Sequence, residues 1–172
     1  MLSSVAKGFE SSRLSFRPFR QTDAAEAHWF QDPEVMRFMP FPPDECAEQT
    51  LDRIDGYIDH QNRHGFSKWL VSDRVSGRPI GDAGIMFLPG RDEIELGYRL
   101  IRPCWNQGLA TEAAIAWCEH TFHFLGMTRL VAFASPAHKA SLRVMEKAGF
   151  RFCRYDRLFG MEAVVYEARA VK

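Results

Sequence analysis

Long hydrophobic runs are missing from this sequence. No stretch approaches the ~20 apolar residues that a membrane span needs. Met1 to Arg13 also lacks the apolar centre of a secretory signal, so a cytoplasmic protein with no membrane partner is expected. Charge of one sign is missing too. The 22 Lys and Arg balance 22 Asp and Glu, and without a basic excess or stripe a nucleic-acid partner is not expected. Cysteine is scarce and scattered: Cys46, Cys104, Cys118 and Cys153 form no C-x-x-C pair, which leaves neither a zinc knuckle nor a redox dithiol and suggests buried free thiols. His60 and His64 stand i, i+4 and His120 and His123 i, i+3, but no third ligand is near either pair in sequence. They read as solvated helix faces, and no metal is expected. There is no Gly-Lys-Ser/Thr and no G-x-G-x-x-G, which disfavours nucleoside triphosphate and nicotinamide sites. Internal repeats and low-complexity segments are also absent.

What remains is an ordinary globular composition, 46% hydrophobic and 26% charged over 172 residues, enough for one domain spanning 1–172 with its own core. Arg13 to Phe19 reads as a first strand, and Thr22 or Asp23 can cap a helix running to Phe30. Asp32-Pro33 restarts the chain. After Pro40, Pro42 and Pro43, the spacing of Leu51, Ile54, Tyr57 and Ile58 predicts a helix ending at Gly65. Trp69 to Ser72 and Pro79 to Leu88 form a hairpin about Val75-Ser76-Gly77-Arg78. From Glu93 to Ile101, apolar Ile94, Leu96, Tyr98 and Leu100 alternate with Glu93, Glu95, Gly97 and Arg99, the clearest period-2 strand in the chain. A helix from Gln107 to Gly126, a strand over Arg129 to Ala134, a helix from Pro136, Lys139 or Ser141 to Gly149, and strands Phe150 to Leu158 and Ala163 to Ala170 complete an α/β order.

Two segments carry chemistry. Between Glu95 and Ala114 a strand feeds a tight turn at Gly108 and then a helix, whose unpaired N–H groups and dipole suit an anion such as phosphate. The second runs from Pro136 to Phe150. Glu95-Leu96-Gly97-Tyr98, Trp105-Asn106-Gln107-Gly108-Leu109-Ala110-Thr111-Glu112-Ala113 and Ser141-x-Arg143-Val144-x-Glu146-Lys147-x-Gly149-Phe150 together resemble the GNAT superfamily of acetyl-CoA-dependent N-acetyltransferases. They look most like its RimJ/RimL branch, which acetylates the N-termini of ribosomal proteins. The resemblance covers nearly the whole chain, because Leu14 to Phe19 with Thr22-Asp23 looks like that branch's opening strand and helix.

The resemblance implies a mixed, mostly antiparallel, seven-stranded splayed sheet with helices on both faces. It implies a cofactor-binding core at about 93–150 and an acceptor-side helical arm at about 32–65, where Phe38, Phe41, Asp44 and Glu45 are candidates for acceptor contacts. Acetyl-CoA, as substrate, would lie in the splay, with its pyrophosphate on the backbone N–H groups of Gln107, Gly108, Leu109, Ala110 and Thr111. The N–H of Leu96 or Gly97 would serve the oxyanion, Glu95 would act as base, and Ser141 or solvent would protonate the thiolate. The partner is an amine, either a peptide N-terminus or a small molecule, and the chain would be a monomer or homodimer.

Three positions depart from the branch. Asn106 stands where Gly is common, His138 replaces an Asn that contacts the cofactor, and Met145 replaces the Tyr that many members use as acid. A non-catalytic CoA-binding module of the same fold is therefore the alternative to an enzyme. An α-amine with a pKa of ~7.7–8.0 is partly neutral near neutrality, whereas a lysine at ~10.4 pays roughly 4 kcal/mol to lose its proton, so an N-terminal substrate asks less of Glu95.

Overall fold

The computed structural model describes residues 7–171, so the expected domain 1–172 and the leading segment from Met1 both extend beyond the described residues. Eight strands form one open sheet: β1 (Phe9–Glu10), β2 (Leu14–Pro18), β3 (Lys68–Asp73), β4 (Pro79–Phe87), β5 (Ile94–Leu100), β6 (Arg129–Ala134), β7 (Arg151–Leu158) and β8 (Met161–Arg169). Their spatial order is β1-β2-β3-β4-β5-β6-β8-β7. Every neighbouring pair is antiparallel except β5 and β6. The eighth strand, beyond the seven expected, is β1. Two residues are too few for a period-2 signal, and Phe9 is held there by its ring stacking on Phe16 and on His120.

Helices cover both faces. Helix α3 (Leu109–Glu119) and helix α4 (Lys139–Lys147) pack over one face, where Trp69, Val71, Leu96, Leu100, Trp117 and Met145 join a continuous core. On the other face, helix α2 (Ala47–His64) and the short α1 (Pro33–Met36) bury Phe19, Trp29, Phe30, Ile54 and Leu70. Adjacent residues Trp69, Leu70 and Val71 thus feed opposite cores, as strand alternation requires. Asp32 caps α1 by accepting from Glu34 N–H, with Pro33 in the first turn. Gly65, at φ 82°, closes α2 by donating its N–H to Gln61 C=O.

Three expectations need correction. The helix expected up to Phe30 is two 3-10 segments, Gln21–Ala25 and His28–Phe30. Asp23 is drawn into a two-pronged pair with Arg17 and accepts from Arg20 N–H, which tightens the turn and lets Trp29 and Phe30 enter the core. His123 is exposed as expected, but His120 is not on a solvated face: it packs among Phe9, Trp69 and Trp117 where the helix widens into a π turn over His120–Phe124. His60 is likewise half-buried and faces Phe66 and Phe87. All four thiols are free, but only Cys118 is buried.

Buried Asp82 ties the two halves of the α2 face together. It accepts from Trp29 Nε1 at 2.8 Å and from Arg99 Nε and Nη2 at 2.9 and 2.7 Å. Removing it strands a guanidinium inside the protein, so Asp82→Ala is expected to lower the free energy of unfolding by about 3–5 kcal/mol in urea titration. A loss below ~1 kcal/mol would show that Arg99 relaxes to solvent.

Candidate active site

Strands β5 and β6 share a single register pair, Glu95 with Val131, and beyond it they part. Which backbone groups face the opening follows from the β4 side. Leu88 donates to Glu93 C=O and Ile101 to Ile80 C=O. In an antiparallel ladder bonded pairs alternate, so Glu95, Gly97 and Arg99 also turn their N–H and C=O groups to β4. Leu96 and Tyr98 turn theirs toward β6. The bridge centred on Glu95 must run through its neighbours, which engages Leu96 N–H and makes Tyr98 N–H the first donor past the bridge. Gly97 N–H faces β4.

Side chains alternate in the same way. Glu95, Gly97 and Arg99 lie on the α2 face, while Tyr98 reaches α4 on the other, where its hydroxyl stands 3.1 Å from Ser141 Oγ and donates to Ser141 C=O at 3.2 Å. Burial pushes the Tyr98 phenol up to about 12, so it keeps its proton throughout the neutral range. Ser141 is buried beside it. His138 precedes α4, and its ring stacks on Phe38 with centroids 4.4 Å apart. Burial lowers the His138 pKa, which favours the neutral imidazole.

Two cavities meet at this point. One, of about 320 Å³, opens on the α2 face and touches Glu95, Lys68 and Phe41. The other, of about 480 Å³, runs past Asn106, Gly108 and Thr111 to Arg143 and Lys147. Phe38, Tyr98, His138 and Ser141 line both. At the far end of the second cavity Gly108 adopts φ 76° ahead of α3, a left-handed conformation that favours glycine. Asn106 also has positive φ, at 59°. Asn is among the side chains that tolerate this region best, so the loop keeps its backbone shape despite the replaced glycine. Arg13 braces the loop from outside, donating to Gln107 C=O and pairing with Glu112.

Glu95 is paired. Lys68, buried within the sheet, places Nζ 3.2 Å from Glu95 Oε1 and 3.1 Å from Gly84 C=O. Burial lowers the Lys68 pKa, and the Glu95 carboxylate opposes that shift. The ammonium occupies the space over Gly97, where any Cβ would collide with Nζ. Neither this pair nor the Tyr98 hydroxyl follows from the motifs. The available signal for Lys68 is one cation ahead of the apolar run Trp69-Leu70-Val71. Of the acceptor-arm residues, Phe38 and Phe41 line the α2-face cavity, Asp44 is buried against Arg53, and Glu45 is exposed. Among the described residues no cluster of three or more His, Cys, Asp or Glu is placed to hold a metal, and no helix is long and apolar enough to cross a membrane.

The acetyltransferase (GNAT) domain model matches residues 13–151, most of the chain and all of the splay. The chain belongs to this family. Protein YkkB of Bacillus subtilis is 29% identical over 143 residues, covering 82% of both chains. A GNAT-family acetyltransferase from Bacillus anthracis superposes with a TM-score of 0.82 at 22% identity, over 95% of this chain and 98% of that one. RimL, a ribosomal L7/L12 alpha-N-protein acetyltransferase in complex with coenzyme A, superposes with a TM-score of 0.81 at 17% identity, over 95% and 98%. The chain is thus an acyltransferase with the GNAT fold. Met145, where many members carry the acid Tyr, is fully buried and apolar, and the nearest phenol to Ser141 comes instead from Tyr98 on the facing strand.

The packing of Lys68 over Gly97 is directly testable. Gly97→Ala is expected to lower stability by about 1–3 kcal/mol in thermal or urea unfolding, because the added methyl displaces a buried ammonium. A double-mutant cycle with Lys68→Met should recover most of that loss. Equal losses in both backgrounds would place the strain elsewhere.

Proposed function

We propose that this protein is a cytoplasmic acetyl-CoA-dependent N-acetyltransferase that transfers acetyl to a primary amine by direct attack in a ternary complex. The observation that carries this reading is the meeting of two cavities from opposite faces of the sheet at the point where β5 and β6 part. Four unpaired thiols suit a reducing compartment.

Residues on the α3/α4 side fit the cofactor. The backbone N–H groups of Gln107, Gly108, Leu109, Ala110 and Thr111 would hold the pyrophosphate, since the left-handed Gly108 leaves open space where another residue would carry Cβ, with only Arg13 Nη2 at 3.6 Å. Arg37, Arg143 and Lys147 line the same cavity and supply positive charge for its remaining phosphate. When bound there, acetyl-CoA supplies an activated thioester at the splay. Leu96, Gly97 and His138 would flank its arm. Tyr98 N–H, the first donor past the bridge that engages Leu96 N–H, is the strand-edge donor for the carbonyl oxygen as it gains charge. Glu95 accepts a proton from the amine, directly or through water, and Lys68 fixes the carboxylate in the cavity wall. Ser141, hydrogen-bonded to a phenol that stays protonated, returns a proton to the departing sulfur. One proton thus leaves nitrogen and one reaches sulfur, and solvent restores the starting state by taking the proton from Glu95 and returning one to Ser141.

A protein N-terminal α-amine is the acceptor this reading favours, supported by the RimL-like motifs and by the lower cost of deprotonating an α-amine. Release of CoA thiol from acetyl-CoA across Ala- and Ser-started peptides, lysine peptides, polyamines and amino-sugars tests it. Turnover with the peptides is expected. Acetyl-CoA binding without turnover on any acceptor would favour a binding module. Gly108→Glu should abolish acetyl-CoA binding in calorimetry, and unchanged affinity would remove the loop from the site. Glu95→Gln should keep that affinity but lower turnover at least tenfold, most steeply toward pH 6, where more of the amine is protonated. Wild-type rates from pH 6 to 8 would exclude Glu95 as base.

A further inference from the structure

The α2-face cavity is electrically lopsided. Three ion pairs surround it: Lys68 with Glu95, Arg53 with Asp44 and Arg99 with Asp82. All three cations line the cavity, but of the three carboxylates only Glu95 does. Asp44 and Asp82 sit behind their arginines, so both pairs turn their positive ends to the open space. Arg53 and Arg99 each commit Nε and Nη2, to carboxylates and, for Arg99, also to Tyr57 OH. Their Nη1 groups have no protein partner among the described residues. Neither atom is among the fully buried unpartnered ones, so each keeps some exposed surface, and both residues line this cavity, Arg99 also the second.

The guanidiniums are also rigid and close together. Both stack over the ring of Phe30, at 5.3 and 4.7 Å from its centroid. The Arg99 side chain is 10% exposed. Two preorganised donors of like charge lining one open cavity leave an anion as the missing partner. A planar carboxylate suits the pair better than a neutral amide, which brings half the acceptor capacity and no charge.

We infer that the acceptor amine carries a carboxylate, which Arg53 and Arg99 bind while the amine stands at Glu95. The inference rests on the acetyltransferase reading for the place of the amine but not for the anion site. Glu95 and Arg99 are four residues apart on one strand face, about 13 Å of backbone at ~3.4 Å per residue. The acceptor is therefore elongated, with several bonds between amine and carboxylate, as in an acidic peptide N-terminus or a long amino acid.

The test measures binding and turnover separately, with CoA or acetyl-CoA present. The probes are the C-terminal amides of Ala-Glu and Ala-Gln for the peptide source, and 6-aminohexanoate against 6-aminohexanamide for the small-molecule source. In calorimetry the anionic member of at least one pair is expected to bind at least tenfold more tightly at low salt, and the preferred pair names the source. In Arg53→Gln the ratio should fall to within twofold of one, while Arg53→Lys should retain part of it. Unfolding curves confirm that both variants are folded, and should Arg53→Gln fail to fold, erosion of the ratio by sodium chloride in the wild type replaces it. Equal binding within both pairs, or a preference unchanged in Arg53→Gln, overturns the inference. Anion-selective binding without CoA release would keep the anion site and refute the acetyl-transfer reading instead.

Discussion

The site depends on one constraint, a parallel neighbour pair in an otherwise antiparallel sheet that is bonded at a single position. Strands β5 and β6 meet at Glu95 and Val131 and then part. A closed ladder there would satisfy the backbone of Tyr98 and seal the sheet. The open one leaves a polar strand edge in a wall otherwise made of Leu96, Ala132 and Ala134, and connects a cavity on the α2 face with one on the α3/α4 face. Amine and thioester can then approach one point from opposite sides, a geometry that a continuous sheet forbids.

The strand that opens also sorts the chemistry. Alternation along β5 sends Glu95 and Arg99 to the acceptor side and Tyr98 to Ser141 on the cofactor side, with Gly97 left bare so that the Lys68 ammonium can lie across the strand. In the proposed mechanism the proton acceptor and the proton donor are thereby held on different faces and cannot neutralise each other. The buried cations serve structure and function together: Asp82 and Asp44 hold the guanidiniums in place and also keep their own charge away from the cavity.

Much of this was legible in the sequence because it depends on local periodicity. The alternation over Glu93 to Ile101 put Glu95 opposite Leu96, and Gly65 and Gly108 marked helix ends that the structure places where expected. Motif resemblance supplied the mixed, splayed character of the sheet, which periodicity alone does not. What was hidden depends on contacts distant in sequence. Lys68 and Glu95 are 27 positions apart, and the pair exists only because β3, β4 and β5 are adjacent in register. The 3-10 path to Phe30 is set by Arg17 reaching Asp23, and β1 by ring stacking against a helix more than a hundred residues away. Strand pairing also decides which backbone donors face the opening: the sequence offered Leu96 or Gly97, but Leu96 N–H lies in the bridge, Gly97 N–H faces β4, and Tyr98 N–H is the first donor past it.

Amide-resolved hydrogen exchange with and without acetyl-CoA tests the central claim most directly. If the splay receives the thioester arm and the Gly108 loop its phosphates, then Tyr98, Leu109, Ala110 and Thr111 amides gain protection on binding. Gly97, already turned to β4, should not change. Binding that protects Gly97 or the outer β7 edge while leaving Tyr98 and the α3 N-terminus unaltered would contradict the account.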